Sequence, residues 1–219
     1  MSIVIKNLHI EYPDLLLFDD VSFSVSDDEI VAIKTQVLDG GTSLLKGIAG
    51  FLQGVSGQSW IDNTDLLAST ASEEHFKIGY VYENHGLLSI YNVQQNICLP
   101  LQFHTDMPST EIAQEAISIC DLLHIDHSLL ASYPHHLNDV QTRMINLARA
   151  LIVKPRVLLI DELEGGMSDE VLQDTMRRLK ERQRDFPMAV IITTASEIVM
   201  GLADRVLKIS DRNLIEDLV

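Results

Sequence analysis

From Ser2 to Tyr12, and again from Val21 to Val25, apolar and polar residues alternate along the chain, the period of half-buried strands. Pro13-Asp14 between them is a turn signal. Glu29-Ile30-Val31-Ala32-Ile33-Lys34 is a short apolar run suited to a buried strand. A polar, glycine-containing loop follows, Thr35 to Gly41. From Thr42 to Leu52 the apolar positions take helical spacing, with Thr42 or Ser43 near the N-terminus. Strand, loop, helix is the order that a phosphate-binding unit requires.

The pattern then changes. A strand is expected at Ile78–Tyr82, whereas residues 93–152 read as mostly helical. One helix starts at Ser109 or Thr110 and carries Ile112, Ala116, Ile119, Cys120 and Leu123 on its apolar face. Pro134 precedes another, near 139–152. Val157-Leu158-Leu159-Ile160 is a buried strand ending at the carboxylates Asp161 and Glu162. A helix over 169–184 leads to a strand at Ala189–Thr193, and short strands near 205–209 and 213–216 follow. Strands at both ends with helices between them argue for an α/β core interrupted by a helical lobe.

Composition changes the picture in one respect. Hydrophobic residues make up 46% and charged residues 22% of the 219, an ordinary globular balance, but 32 acidic residues face 16 basic ones, a formal net charge of -16. Such a surface repels polyanions and argues against nucleic acid and bare anionic lipid as partners. The local exception, Arg177, Arg178, Lys180, Arg182 and Arg184, reads as a solvated helix face. Cys98 and Cys120 read as small core hydrophobes without a disulfide framework, which fits a cytosolic home. The start of the chain has no signal-peptide pattern, and no apolar run approaches the roughly 20 residues that span a bilayer. His124, His127, His135 and His136 read as loop or cap residues, because no further ligand cluster completes a tetrahedral metal set.

The joint order of several short segments is more specific than any one of them. Ile30-Val31-Ala32-Ile33, Leu44 to Gly50, Ile78-Gly79-Tyr80-Val81, Tyr133 to Leu137, Leu147-Ala148-Arg149-Ala150-Leu151 and Val157 to Glu162 follow one another with the spacing of the ATP-binding cassette ATPases. The chain resembles that family over essentially its whole length. The resemblance implies a P-loop NTPase core with an antiparallel β subdomain and an inserted helical subdomain. It implies one cassette domain over 1–219, with 1–86 and 153–219 as core and 87–152 as helical subdomain.

Residues the family uses for chemistry are altered here. Its phosphate loop looks like G-x-x-G-x-G-K-[ST]-T, whose backbone N–H groups and lysine hold phosphates while a hydroxyl binds magnesium. The matching segment is Thr35 to Ser43. Gly40, Thr42 and Ser43 agree; Thr35 and Leu38 replace glycines, Gly41 stands at the lysine position, and Asp39 adds a carboxylate. A lost charge-assisted lysine–phosphate contact costs about 1.5–3 kcal/mol. A carboxylate about 5 Å from a phosphate charge adds roughly 3 kcal/mol of repulsion at an effective dielectric near 20. A nucleotide bound at micromolar to millimolar concentration has only about 4–8 kcal/mol to lose. Lys34 and Lys46 are poorly placed substitutes, one before the loop and one a turn inside the helix.

The family signature L-S-G-G-Q is here Leu137-Asn138-Asp139-Val140-Gln141, with side chains where glycine backbone should approach a partner's nucleotide. Ala195 stands for the switch histidine, Ser168 for the dimer-loop aspartate and Glu83 for the glutamine that links magnesium to the transmembrane contact. What agrees is Asp161, the magnesium-side aspartate; Glu162, the catalytic carboxylate, here a relic; and Tyr12, an adenine-stacking aromatic. By the resemblance, Thr42, Glu83 and Asp161 are the magnesium set. Both halves of a composite dimer site are altered, so a homodimer has two defective sites and an intact partner leaves both composite sites impaired.

The resemblance therefore implies a cassette subunit with no nucleotide or weakly held Mg-ATP, paired with a second cassette as homodimer or heterodimer. It docks on a transmembrane permease through Glu83, Leu87, Leu88 and Tyr91, on the cytoplasmic face of the inner membrane. Asn92 to Pro108, and His104 to Pro108 within it, is similar to the Mla-type phospholipid-transport ATPases. Two other readings stay open: an atypical working ATPase completed by a partner, and a soluble interaction module that has left transport.

Overall fold

The computed structural model describes residues 3–68, 77–83 and 86–217. The chain opens with a hairpin, β1 (Ile3–Tyr12) and β2 (Leu15–Val25), whose last pair Tyr12 and Leu15 closes over Pro13-Asp14. β2 begins six residues earlier than alternation predicts, because Leu15-Leu16-Leu17-Phe18 carries no period-2 signal. β4 (Val55–Ile61) and the short β5 (Thr64–Asp65), neither expected from the pattern, complete a four-stranded antiparallel sheet in the order β2-β1-β4-β5. Gly57 explains part of the omission. It breaks the run with a φ of 106°, and a Cβ there would stand 2.3 Å from the Asn7 carbonyl oxygen.

The second sheet has six strands in the order β10-β9-β3-β8-β7-β6. β3 (Ile30–Lys34), β6 (Ile78–Val81), β7 (Val157–Asp161) and β8 (Ala189–Thr194) run parallel, as does β9 (Arg205–Ser210) beside β3, and β10 (Asn213–Glu216) returns antiparallel. Every residue of β7 and β8 is buried, as expected for strands covered on both faces.

Alternation in these strands divides the interior in two. Ile30, Ala32, Ile160, Val190 and Ile192 point to one side, where they meet helices α2 (Val93–His104), α3 (Ser109–Leu122), α4 (Asp139–Leu151), α5 (Asp169–Asp185) and α6 (Glu197–Leu202). Val31, Ile33, Leu159 and Ile191 point to the other, against α1 (Gly41–Ile48) and the antiparallel sheet. α6 was not expected from the sequence; it is a turn and a half long, too short for a periodic signal.

The predicted solvated face of α5 needs correction. Arg177 is exposed and paired with Asp174, but the Arg178 side chain is largely buried, donating to the Leu122 carbonyl (2.9 Å), and Arg182 lies 3.8 Å over the Phe186 ring. Arg178 thereby ties α5 to the end of α3, and Arg182 covers the ring of Phe186 at the end of its own helix. No helix of the described residues is long and apolar enough to cross a membrane.

Candidate functional site

The loop between β3 and α1 lies at the carboxyl ends of β3, β7 and β8, the usual position of a ligand crevice in a parallel sheet. A cavity of about 600 Å³ opens there, lined among others by Tyr12, Thr35, Asp39, Thr42, Glu83 and Glu162. The structure thus brings together every residue singled out in the phosphate loop, Gly40, Gly41 and Ser43 included, with Glu83 and Glu162. Asp161 sits beneath, 2% exposed.

The cradle is internally satisfied. Asp39 turns its carboxylate back into its own loop: one oxygen accepts from the Gln36 N–H (2.5 Å) and the other from the Gly41 N–H (3.2 Å). Gly40, at φ 95°, is the N-cap of α1 and no side chain caps that helix; Thr42 and Ser43 stand in its first turn, near the N-terminus as expected. Both hydroxyls are used elsewhere. Thr42 Oγ1 donates to Asp161 Oδ1 (3.2 Å), and Ser43 Oγ lies 3.1 Å from the Tyr12 hydroxyl. Tyr12 is therefore held at the mouth of the cavity by a polar contact at its tip.

The carboxylates at the base are crowded. Asp161 accepts a second hydrogen bond from Thr193 Oγ1 (3.0 Å). Its carboxyl is nonetheless pushed above the usual range, first by burial; Glu83 adds to the shift, whereas the Thr193 and Thr42 hydroxyls and Lys46 oppose it. Glu162, at φ 48°, is also raised, first by burial and then by Glu83, Glu164 and Asp161, with Arg143 opposing. Lys34 offers the cavity nothing, because its ammonium lies 3.8 Å from both Glu197 and Asp217 on the other side of β3.

Several positioning residues carried no sequence signal. Arg143, on α4, donates to the Glu162 carbonyl (2.7 Å) and lies over Gly165, where a Cβ would come within 2.2 Å of its guanidinium. It links the helical lobe to the end of β7. Glu164 accepts from the Thr194 hydroxyl (2.7 Å) and the Ala195 N–H (2.8 Å), fastening the segment at the switch-histidine position. Buried Asn96 holds the 88–92 turn by accepting from the Leu88 N–H and donating to the Leu88 and Tyr91 carbonyls.

The signature residues lie elsewhere. None of Asn138, Asp139, Val140 and Gln141 lines the cavity at the phosphate loop. Asn138 and Gln141 form a capping box at the start of α4, each side chain accepting from the other's backbone N–H at 2.8 and 3.0 Å. Leu87 packs on the lobe core, whereas Leu88 and Ile90 are exposed by 43% and 74%. Ser168 is the N-cap of α5.

Comparison with known proteins agrees with this geometry. The ABC transporter family model matches residues 18–164. The sulfate/thiosulfate import ATP-binding protein CysA 1 of Chromobacterium violaceum is 31% identical over 210 residues, covering 94% of this chain and 58% of its own length. The methionine import ATP-binding protein MetN of Carboxydothermus hydrogenoformans is 27% identical over 222 residues, covering 98% and 65%. The chain thus spans only part of the length of these relatives. The dimeric ATP-binding cassette MJ0796 bound to ADP and Pi superposes with a TM-score of 0.88 at 20% identity, over 98% of each chain, which speaks for the fold alone. On the family match and the shared architecture, this chain belongs to the ABC transporter family.

Proposed function

We propose that the chain is a cassette subunit that docks on a transmembrane permease as a scaffold and does not turn over ATP. The observation that carries this reading is the Asp39 carboxylate, which accepts from the Gln36 and Gly41 N–H groups that a phosphate would need, in a loop with glycine at the lysine position. A triphosphate would have to displace a covalently tethered anion and then lie beside it. The direct Thr42–Asp161 hydrogen bond likewise joins two groups that would hold magnesium. Magnesium, when bound, would neutralise phosphate charge; Thr42, Glu83 and Asp161 are the residues available to it, and Glu162 would have no positioned phosphate to act upon.

In this reading residues 1–86 and 153–219 form the core, 87–152 form the lobe, and the permease contacts Glu83 to Tyr91, where Leu88 and Ile90 offer unburied apolar surface. A second cassette, identical or not, pairs with it, and the assembly sits on the cytoplasmic face of the inner membrane. The phospholipid assignment rests on the His104–Pro108 segment. The names of the relatives above, sulfate/thiosulfate and methionine importers, favour a small-solute substrate instead.

Calorimetric titration with Mg-ATP and a phosphate-release assay, on the chain alone and co-purified with its permease, test the proposal. No saturable heat and no turnover in either preparation are expected. Ordinary affinity with turnover that vanishes in Glu162→Gln refutes it. One observation favours a working ATPase instead: Thr42, Asp161 and Glu162 stay together in family order. Turnover confined to the complex establishes that second reading.

A further inference from the structure

The first turns of α4 and α5, together with the 123–129 segment that follows α3, enclose a second cavity of about 450 Å³. It shares no lining residue with the cavity at the phosphate loop. Its depth is apolar: Leu123, Ile125 and Met144 are exposed by only 3%, 8% and 9%. Buried Thr175, against Met144, donates its hydroxyl to the Val171 carbonyl (2.8 Å). Among the described residues no side-chain polar atom of this lining is both buried and unpaired. A polar group placed in the depth would therefore lose its hydration and find no partner, whereas an apolar group would lose nothing. Val140 is part of the wall, so the side chain that stands at a glycine position of the family signature helps to build this surface.

The mouth is polar and already organised. Asp126 accepts from the Ser128 N–H (2.8 Å), Gln141 from the Asn138 N–H (3.0 Å), and Asp174 from Arg177 and Arg178 at 3.0 and 2.6 Å. These bonds fix the side chains around a formed opening, which lowers the ordering cost of binding. The charge there is one-sided. Asp174 is neutralised by its two arginines, but Asp126 and Glu170 meet only donors of Ser128 and Ser168, and among the described residues no lysine or arginine pairs with either. In a chain of formal net charge -16, this opening repels anions and favours a positive group. A cavity of several hundred Å³ with an apolar depth and a few polar groups at its edge is the usual form of a small-molecule site.

We propose that this cavity binds a small amphipathic amine. Its apolar body lies against Leu123, Ile125, Val140 and Met144, and its ammonium group stays at the mouth with Asp126 and Glu170. Such an occupant touches α4 and α5 together and fastens one to the other. The inference does not depend on whether the chain hydrolyses ATP.

The test is calorimetric titration of the full chain with 4-phenylbutylamine, 4-phenylbutan-1-ol and 4-phenylbutyrate, which share an apolar body and differ in charge. The amine should bind saturably at about 1 mM or below, the alcohol at least threefold more weakly, and the carboxylate not at all. Added NaCl should erase the advantage of the amine over the alcohol. Val171→Lys, at a 40% exposed position on the lining, should weaken the amine at least tenfold. Asp126→Asn with Glu170→Gln should weaken the amine about threefold and leave the alcohol unchanged. Saturating amine should raise the melting temperature of the parent and not that of Val171→Lys. The proposal is overturned if the amine gives no saturable heat, if the alcohol or the carboxylate binds as tightly, or if either variant, shown to be folded by thermal melt, binds the amine like the parent. Each of these outcomes leaves the non-hydrolysing reading standing, because titration with Mg-ATP decides that separately.

Discussion

A Cβ placed on Gly41 would stand 2.6 Å from Thr35 Cγ2 and 3.2 Å from Thr193 Cγ2. The threonine at the first glycine of the phosphate loop and the glycine at its lysine position are therefore one packing arrangement. With Thr35 buried in the loop, no side chain fits at 41; with a side chain at 41, Thr35 must go. The two departures from the family pattern, independent in the sequence, are coupled in space.

That coupling is measurable. Gly41→Ala should destabilise the chain by about 1–3 kcal/mol, the range for forcing an extra carbon into a packed site. Thr35→Gly should be mildly destabilising alone, yet should recover at least half of the Gly41→Ala loss when the two are combined. A double-mutant cycle from urea melts should give an interaction of about 0.5–3 kcal/mol. Additive effects would mean that the loop relaxes freely and the coupling is not real.

Asp39 makes a second prediction about the same loop. Replacing it with serine frees the Gln36 and Gly41 N–H groups but supplies no cation, so Asp39→Ser alone should, like the parent chain, give no saturable heat with Mg-ATP. Thr35→Gly with Asp39→Ser and Gly41→Lys frees the donors, clears the space and adds the ammonium. That triple variant should give saturable heat with Mg-ATP, read by titration calorimetry. An equal response of the two variants would place the defect elsewhere.

The sheet and helix order was legible because buried parallel strands and amphipathic helices carry strong periods; Val157–Asp161 and Asp139–Leu151 came within a residue of their expected ends. β4 was not, since Ser56, Gly57, Gln58 and Ser59 carry no apolar alternation and become a strand only through pairing with β1. The site was legible as a set of altered positions. Its physical organisation was not. That Asp39 folds back on its own amides depends on loop dihedrals, and that Arg143 reaches the Glu162 carbonyl depends on the packing of a helix distant in sequence. Spacing encodes neither.

The two cysteines test the helical lobe. Burial pushes the Cys120 thiol up to about 11, with Asp121 and Cys98 adding to the shift, and burial raises Cys98 as well. Thiolate is the reactive form, so at pH 8 both should be nearly inert to a disulfide-exchange reagent in the folded chain. Both should react fully in denaturant. Fast labelling of Cys120 under native conditions, at a rate independent of reagent concentration, would report opening of the lobe.

The signature segment should prove to be a helix start. Asn138 and Gln141 cap α4, whose Ile145, Leu147, Ala148 and Leu151 are buried in the lobe core. Asn138→Ala should cost about 1 kcal/mol, whereas Asn138→Ser, the family residue, should be nearly neutral because serine also caps. Asp139 complements the helix dipole, and Asp139 and Val140 both avoid the backbone entropy that glycine brings. Restoring glycine at both positions should therefore cost roughly 1–2 kcal/mol at neutral pH. It should also leave Mg-ATP binding by the chain alone unchanged, since neither residue lines the cavity at the phosphate loop. A rise in stability on restoring the glycines would show that these side chains are strained, and would point to a partner surface as the reason they are there.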